Sequence, residues 1–330
     1  MLPAIFIICL SQYFSAITDP KVILRKTVMF FPFSIALSYC FIFGKVGFPK
    51  LGINGAAYSV VLSYWFLFVW LLKDFFKHKI TKRFIKSATF FKKPIKSIQI
   101  LKLGMPIMLQ NSTDFLFLFV ITLMIGWFGR GSLAAQQIIN QLNMFLFLIP
   151  FSLGQGAAIL VSQAYGKNDT EEICQIAKLA LYSIILFSLI AGAISMLYSH
   201  WLIGLYLSKN SPNIEEIKAI TMKLLLIFVF FQFFNAIKTV ISSILRGLHN
   251  TKIPMLVSVV SNWVIGLPVC YLLGVQINML SIGVNIGYLV SATMASIVMW
   301  LFWIMTRNKM LLGARINSLI INKNMREEVC

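Results

Sequence analysis

The stretch LGMPIMLQNSTDFLFLFVITLMIGWF (103–128) decides the fold. From Phe115 onward it is apolar on every side apart from Thr122, with no alternation of apolar and polar positions. A strand of a membrane barrel would alternate with a period of two. A helix in lipid satisfies its own backbone N–H and C=O groups and tolerates apolar residues all round. At about 1.5 Å per residue such a segment covers about 39 Å, enough to cross a bilayer core of about 30 Å. The reading is a membrane-crossing helix, and the rest of the chain repeats the pattern.

Windows of the same kind predict nine spans, at roughly 1–17, 28–44, 53–75, 103–128, 134–163, 174–202, 217–245, 254–274 and 280–306. Turn residues punctuate them at 19–20, 47–49, 129–131, 208–212 and 247–251. Composition agrees: of 330 residues 59% are hydrophobic and 12% charged, and the mean hydropathy is +0.85. A soluble domain of this size has too little interior to hide that much apolar surface. Water-soluble enzyme, secreted scaffold and nucleic-acid binder are thereby excluded as readings of the whole chain. The net charge of +19 belongs to loops beside a membrane. Cys9, Cys40, Cys174, Cys270 and Cys330 show no Cys-x-x-Cys spacing and no neighbouring His, which argues against a disulfide framework or a metal site. Neither a Walker motif nor a nucleophile elbow is present, so no ATP-driven or enzymatic role is expected.

Basic residues set the expected orientation. Twenty-two Lys and Arg fall in alternate loops and the C-terminal tail, six in the opposite loops, and Lys238 inside a span. That asymmetry places the C-terminus in the cytoplasm and the first residue outside. The expected organisation is a partial N-terminal lobe of three helices (1–75), a basic cytoplasmic connector (76–102), a six-helix C-terminal lobe (103–306) and a cytoplasmic tail (307–330). An internal repeat underlies the two lobes: SIALSYCFIFGKVGFPKLGIN (34–54) lies over VIGLPVCYLLGVQINMLSIGVN (264–285) with one inserted residue. Cys40 falls on Cys270, Gly44 on Gly274, and Leu51-Gly-Ile-Asn54 on Ile282-Gly-Val-Asn285. Spans one to three then correspond to seven to nine, and three helices have no counterpart in the first lobe.

The polar groups inside spans are few. Asp114 alone among ten acidic residues stands deep, about 15 Å in, accompanied by Gln110, Asn111 and Thr113. A carboxylate there costs about 2.5–3.5 kcal/mol on insertion scales, so it marks either an ion-coupling group or a helix–helix hydrogen bond. Gln232, Asn235 and Lys238 recur every three residues on one helix face. Counted back from Arg246, Lys238 lies about 12 Å deep, close to the depth of Asp114, which points to an Asp114–Lys238 pair or a shared polar cavity. A lysine snorkelling to the interface is the alternative. Gln141 is a further cavity-facing candidate, and Pro106, Pro150 and Pro268 are candidate helix bends. Gly154 and Gly156 would allow close helix approach.

The segments YCFIFGKVGFPKLGINGAA (39–57), LGMPIML (103–109), LAAQQI (133–138), FLIPFSLGQGAAILVSQAYGKND (147–169), ILRGLHNTKIP (244–254) and WVIGLPVCYLLG (263–274) follow one another in order across nearly all of the chain. Together they resemble the multidrug and toxic-compound extrusion (MATE) transporters, from the end of that family's fourth helix to its twelfth. The resemblance implies two six-helix lobes, here with three helices missing from the first, in a multi-pass protein of the plasma (inner) membrane. It implies a secondary antiporter that exports cationic or amphipathic organic compounds, needs no cofactor, and acts as a monomer among membrane lipids with no nucleic-acid partner. Asp114 falls where the family has a cation-binding acid, Asn235 where many members have aspartate, and Phe231 where some have tyrosine. With one charge and one hydroxyl gone and Lys238 added, a proton is preferred to sodium as the coupling ion, because desolvation favours the protonated form of a carboxyl group. A lipid or polysaccharide flippase of related architecture and a non-transporting remnant or assembly partner are the alternative readings.

Overall fold

In lipid no solvent is available to the backbone, so apolar runs of this length become helices and pack through small residues and scattered polar groups. The structure, a computed structural model, describes residues 2–17, 20–45, 50–78, 81–82, 94–206 and 214–327. Ten helices carry the described chain: α1 (Leu2–Ala16), α2 (Pro20–Phe43), α3 (Gly52–Lys77), α4 (Pro94–Gly126), α5 (Arg130–Gly166), α6 (Thr170–Leu197), α7 (Ser199–Tyr206), α8 (Ile214–Gly247), α9 (Lys252–Gln276) and α10 (Leu280–Glu327). Eight of these are long and apolar enough to cross a membrane, α1 and α7 being the two that are not. At the expected first span, 1–17, the described residues form an apolar helix of 15 residues, about 22 Å long, which is why it is not counted among the eight. The expected turns at 47–49 and 208–212, Asp19 of the turn expected at 19–20, and about half of the basic connector (79–80 and 83–93) lie outside the described residues, while Pro20 opens α2 and residues 94–102 of the connector belong to α4.

Two compact units emerge, 1–97 and 98–330. In the first, α1 and α2 pack on α3 around Leu10, Leu67 and Leu71. Lys21, Arg25 and Lys26, expected in a loop, belong instead to the first turns of α2. A long side chain lets a helical lysine reach polar company, and Lys26 Nζ meets Asp74 Oδ2 at 2.8 Å and sits 4.1 Å over the Trp70 ring. The second unit is organised about α8, the most enclosed of the spans. It packs on α5, α6 and α10, with Val161, Ile184, Ile241, Ile244 and Met299 at the centre of the core. Outward-facing positions such as Phe115, Leu179 and Leu197 remain apolar and exposed, as lipid-facing positions should.

Glycine sets the tightest contacts. A Cβ on Gly154 of α5 would stand 2.7 Å from Ser243 Oγ of α8, whereas one on Gly156 would meet nothing within 4 Å. Close approach therefore rests on Gly154 and not, as expected, on both, because Gly156 lies two residues on and turns away from α8. The two repeated segments contribute the helix pairs α2/α3 and α9/α10, and in each pair an amide ahead of the second helix donates back to the end of the first: Leu51 N–H to Phe41 O at 3.2 Å, Met279 N–H to Leu273 O at 3.1 Å. Within α9 the backbone leaves α geometry for π geometry over Val260–Gly266 and again over Leu272–Gln276. Pro268 lies between these two stretches, while Pro106 and Pro150 lie in α4 and α5, which run on through them.

Candidate functional site

Three helices bring polar residues together in the same four-residue step. On α4 these are Gln110 and Asp114, on α8 Lys238, Ser242 and Arg246, and on α9 Ser258 and Asn262. Residues four apart share a helix face, so the three helices present two stacked polar layers to one another.

The deeper layer centres on Asp114. Its Oδ1 accepts from Lys238 Nζ at 3.2 Å and from Asn262 Nδ2 at 2.7 Å. Asn262 Oδ1 in turn accepts from the Ser291 hydroxyl of α10 at 2.8 Å, and the same hydroxyl lies 2.9 Å from Ser261 O. Lys238 is well enclosed, with 10% of its side chain exposed, while 35% of the Asp114 side chain is open. A carboxylate bonded to two donors is satisfied on one oxygen and reachable from one side. The π stretch Val260–Gly266 holds both Ser261 and Asn262, and π segments often accompany functional positions because they loosen the regular backbone ladder.

The second layer lies one turn nearer the α8–α9 turn. Gln110 Nε2 donates to Ser242 Oγ at 3.2 Å and to Ser258 Oγ at 3.1 Å, and Gln110 Oε1 accepts from Arg246 Nη2 at 2.7 Å. One buried carboxamide thus spends three of its four hydrogen-bonding positions on two neighbouring helices.

A separate polar group ties α5 to α10. Asn285 Nδ2 donates to Gln136 Oε1 and to Ser281 O, both at 2.8 Å, and Gln136 Nε2 donates to Asn140 Oδ1 at 3.1 Å. Beside it Phe228, Phe231, Tyr288 and Asn143 enclose a cavity of about 10 Å³, room for about one water. Phe231 and Tyr288 stack with ring centroids 4.1 Å apart.

Of the residues singled out in the sequence, Asp114, Lys238 and Gln110 meet in the two layers. Gln232 and Asn235 share the face of α8 but do not join Asp114. Both atoms of the buried Gln232 carboxamide lack a hydrogen-bond partner, and Asn235 contributes its carbonyl to Thr239 Oγ1 at 2.7 Å. Asn111 and Gln141 are exposed and Thr113 is half-buried. Sequence reasoning missed Asn262, Ser291 and the Gln136–Asn285 pair, and it counted Arg246 as a loop charge. The signal for Asn262 was present: a carboxamide inside VSVVSNWVIG (257–266) is as unexpected in lipid as Asp114 is.

The MatE family model matches residues 106–272, which hold Gln110, Asp114, Lys238, Arg246 and Asn262. A probable multidrug resistance protein NorM of Synechocystis is 30% identical over 318 residues, covering 96% of this chain and 69% of that protein. A NorM of Brucella suis is 26% identical over 304 residues, covering 92% and 64%. The crystal structure of the Vibrio cholerae MATE transporter VcmN superimposes with a TM-score of 0.80 at 18% identity, covering 92% of this chain and 66% of that one. The chain therefore spans about two thirds of the length of the relatives it matches. With a matching family model over half its length, a relative at 30% identity and a shared fold, the chain belongs to the MATE family of multi-pass membrane proteins.

Proposed function

We propose that the chain works as a secondary antiporter of the plasma membrane, exporting cationic or amphipathic organic compounds against proton entry, with Asp114 as the proton-carrying group and the C-terminus in the cytoplasm. The observation that carries this reading is the set of atoms around Asp114. Lys238 Nζ and Asn262 Nδ2 are both hydrogen donors. Donors stabilise a carboxylate, whereas a hard metal cation is held by several oxygens, and an ammonium at 3.2 Å repels a second cation at the same atom. A proton needs no such ligands. Once it neutralises Asp114, the attraction holding Lys238 ends and a buried ammonium is left without a counter-charge. Leaving a buried charge unpaired costs about 3–5 kcal/mol, enough to shift a balance between two conformations. The multidrug-resistance names of the relatives support the substrate class, and the excess of 22 basic residues over six supports the orientation.

The test is uptake of a fluorescent organic cation into proteoliposomes holding the intact chain, driven either by a pH gradient or by a sodium gradient. The expected result is uptake with the pH gradient alone, reduced to the background of empty liposomes by Asp114→Asn. Uptake driven by sodium without a pH gradient would overturn the ion assignment. No uptake under either gradient would favour the non-transporting assembly-partner reading.

A further inference from the structure

Gln110 and Asp114 are, among the described residues, the α4 side chains that hydrogen-bond to another helix. The remaining hold on α4 is apolar, through Phe117, Ile121, Met124 and Ile125 against Cys270 and Val284. Apolar packing is non-directional and leaves the axial position of a helix loosely defined, while hydrogen bonds at 2.7–3.2 Å to two different helices define it closely. Gln110 stands one turn from Asp114, and its partners Ser242, Arg246 and Ser258 stand one turn from Lys238 and Asn262 respectively or further along the same face. Any sliding of α4 that lengthened the Asp114 contacts would have to break the Gln110 contacts as well.

We infer that Gln110 is a positioning residue for the coupling site: its carboxamide, clamped between Arg246, Ser242 and Ser258, sets the axial register of α4 that brings the Asp114 carboxylate onto Lys238 and Asn262. The inference rests on the reading of Asp114 as the proton-carrying group. The charged and titratable groups facing Asp114 are Lys238 and, two turns further along α8, Arg246. From α9 it faces the neutral Asn262, and from α10 the phenol of Tyr288, which packs on Phe117 at 5.6 Å between ring centroids. Both cations reach the carboxylate only in the register that Gln110 fixes.

The experiment compares wild type, Gln110→Leu and the double variant Ser242→Ala with Ser258→Ala. Two pH titrations are made on the intact chain: organic-cation uptake into proteoliposomes, and thermal unfolding in detergent, which requires no transport. Asp114→Asn serves as the reference that removes the titration of interest. With the donors no longer held against it, the carboxylate binds a proton more readily, so the Asp114-dependent midpoint moves to higher pH in Gln110→Leu. The expected shift is about one pH unit, a tenfold change in proton affinity, as loss of one charge-assisted hydrogen bond entails. The serine double variant, which keeps Arg246 on Gln110, moves it in the same direction by less. Should Gln110→Leu not fold, the serine variant alone decides. A midpoint unmoved in the folded variants, with only the amount or stability of protein reduced, would overturn the positioning role. A wild-type titration that Asp114→Asn leaves unchanged would instead overturn the proton-carrier reading, and this inference with it.

Discussion

Removing one charge at a time from the Asp114–Lys238 pair should cost unequal amounts, because the two partners are unequally enclosed. Asp114→Asn leaves the Lys238 ammonium, 10% exposed, with no carboxylate. Stripping a buried ion of its partner costs about 3–5 kcal/mol; the enclosure of Lys238 brings its loss into this range, and its residual exposure holds the expected cost at about 3 kcal/mol. Lys238→Met leaves the Asp114 carboxylate, which is 35% exposed and retains the 2.7 Å bond from Asn262. Water and Asn262 compensate it in part, so about 1–2 kcal/mol is expected after discounting for solvent screening. The double variant removes both charges and should cost less than the sum of the singles by about 1.5–3 kcal/mol. Thermal unfolding of the purified chain in detergent near neutral pH reads these values. At about 2–4 °C per kcal/mol for a domain of this size, Asp114→Asn lowers Tm by roughly 6–12 °C and Lys238→Met by roughly 2–8 °C. Additivity of the two single changes within about 0.5 kcal/mol would refute the pair and return Lys238 to a snorkelling role. A larger loss from Lys238→Met than from Asp114→Asn would refute the argument from enclosure.

Two further substitutions test the packing around the site. Gly154→Ala should cost about 1–3 kcal/mol, since its methyl group would sit 2.7 Å from Ser243 Oγ, while Gly156→Ala, with open space around it, should be neutral or stabilising; paired Tm measurements separate them. Gln136→Leu should cost about 1–3 kcal/mol by leaving the buried Asn285 Nδ2 with Ser281 O alone, and Asn285→Ala added to it should cost little more, which a double-mutant cycle of unfolding midpoints checks.

The helices were legible because lipid leaves a chain few options: apolar length alone identified all eight long spans as helices, five of them to within about five residues, while α2 begins at Pro20, α4 at Pro94 and α10 runs on to Glu327, well outside the expected 28–44, 103–128 and 280–306. What failed at its start was the assumption that Lys21, Arg25 and Lys26 mark a loop, when long basic side chains can leave a helix for polar surroundings. The Asp114–Lys238 contact was accessible from depth counting because both residues are rare in lipid and each needs a partner. Asn262 could have been flagged as a carboxamide inside an apolar run, but its partners could not, since serines such as Ser291 are common in membrane helices and the pairing depends on the local turn of α9 through its π stretch. Arg246 was misread for a related reason. It lies beside the α8–α9 turn, where a basic residue ordinarily reports topology, and only the three-dimensional approach of Gln110 turns it inward.

The division of labour between the two layers follows from the charges they hold. Two cations, Lys238 and Arg246, face a single carboxylate, so a proton on Asp114 takes the cluster from one net positive charge to two. At an effective dielectric constant of about 20, the attraction between charges at 3.2 Å is about 5 kcal/mol before desolvation. Arg246 is bonded to Gln110 and not to Asp114, so it acts on the carboxylate from a longer range and, with attraction falling as the inverse of distance, more weakly. Most of the electrostatic free energy that a proton can move therefore resides in the Lys238 contact. Arg246 gains or loses little, and its bond to the neutral Gln110 does not depend on whether Asp114 is ionised. In the proposed cycle Lys238 and Asn262 are the groups that let go, and the Gln110 layer is the fixed end about which α4 can return to the same register.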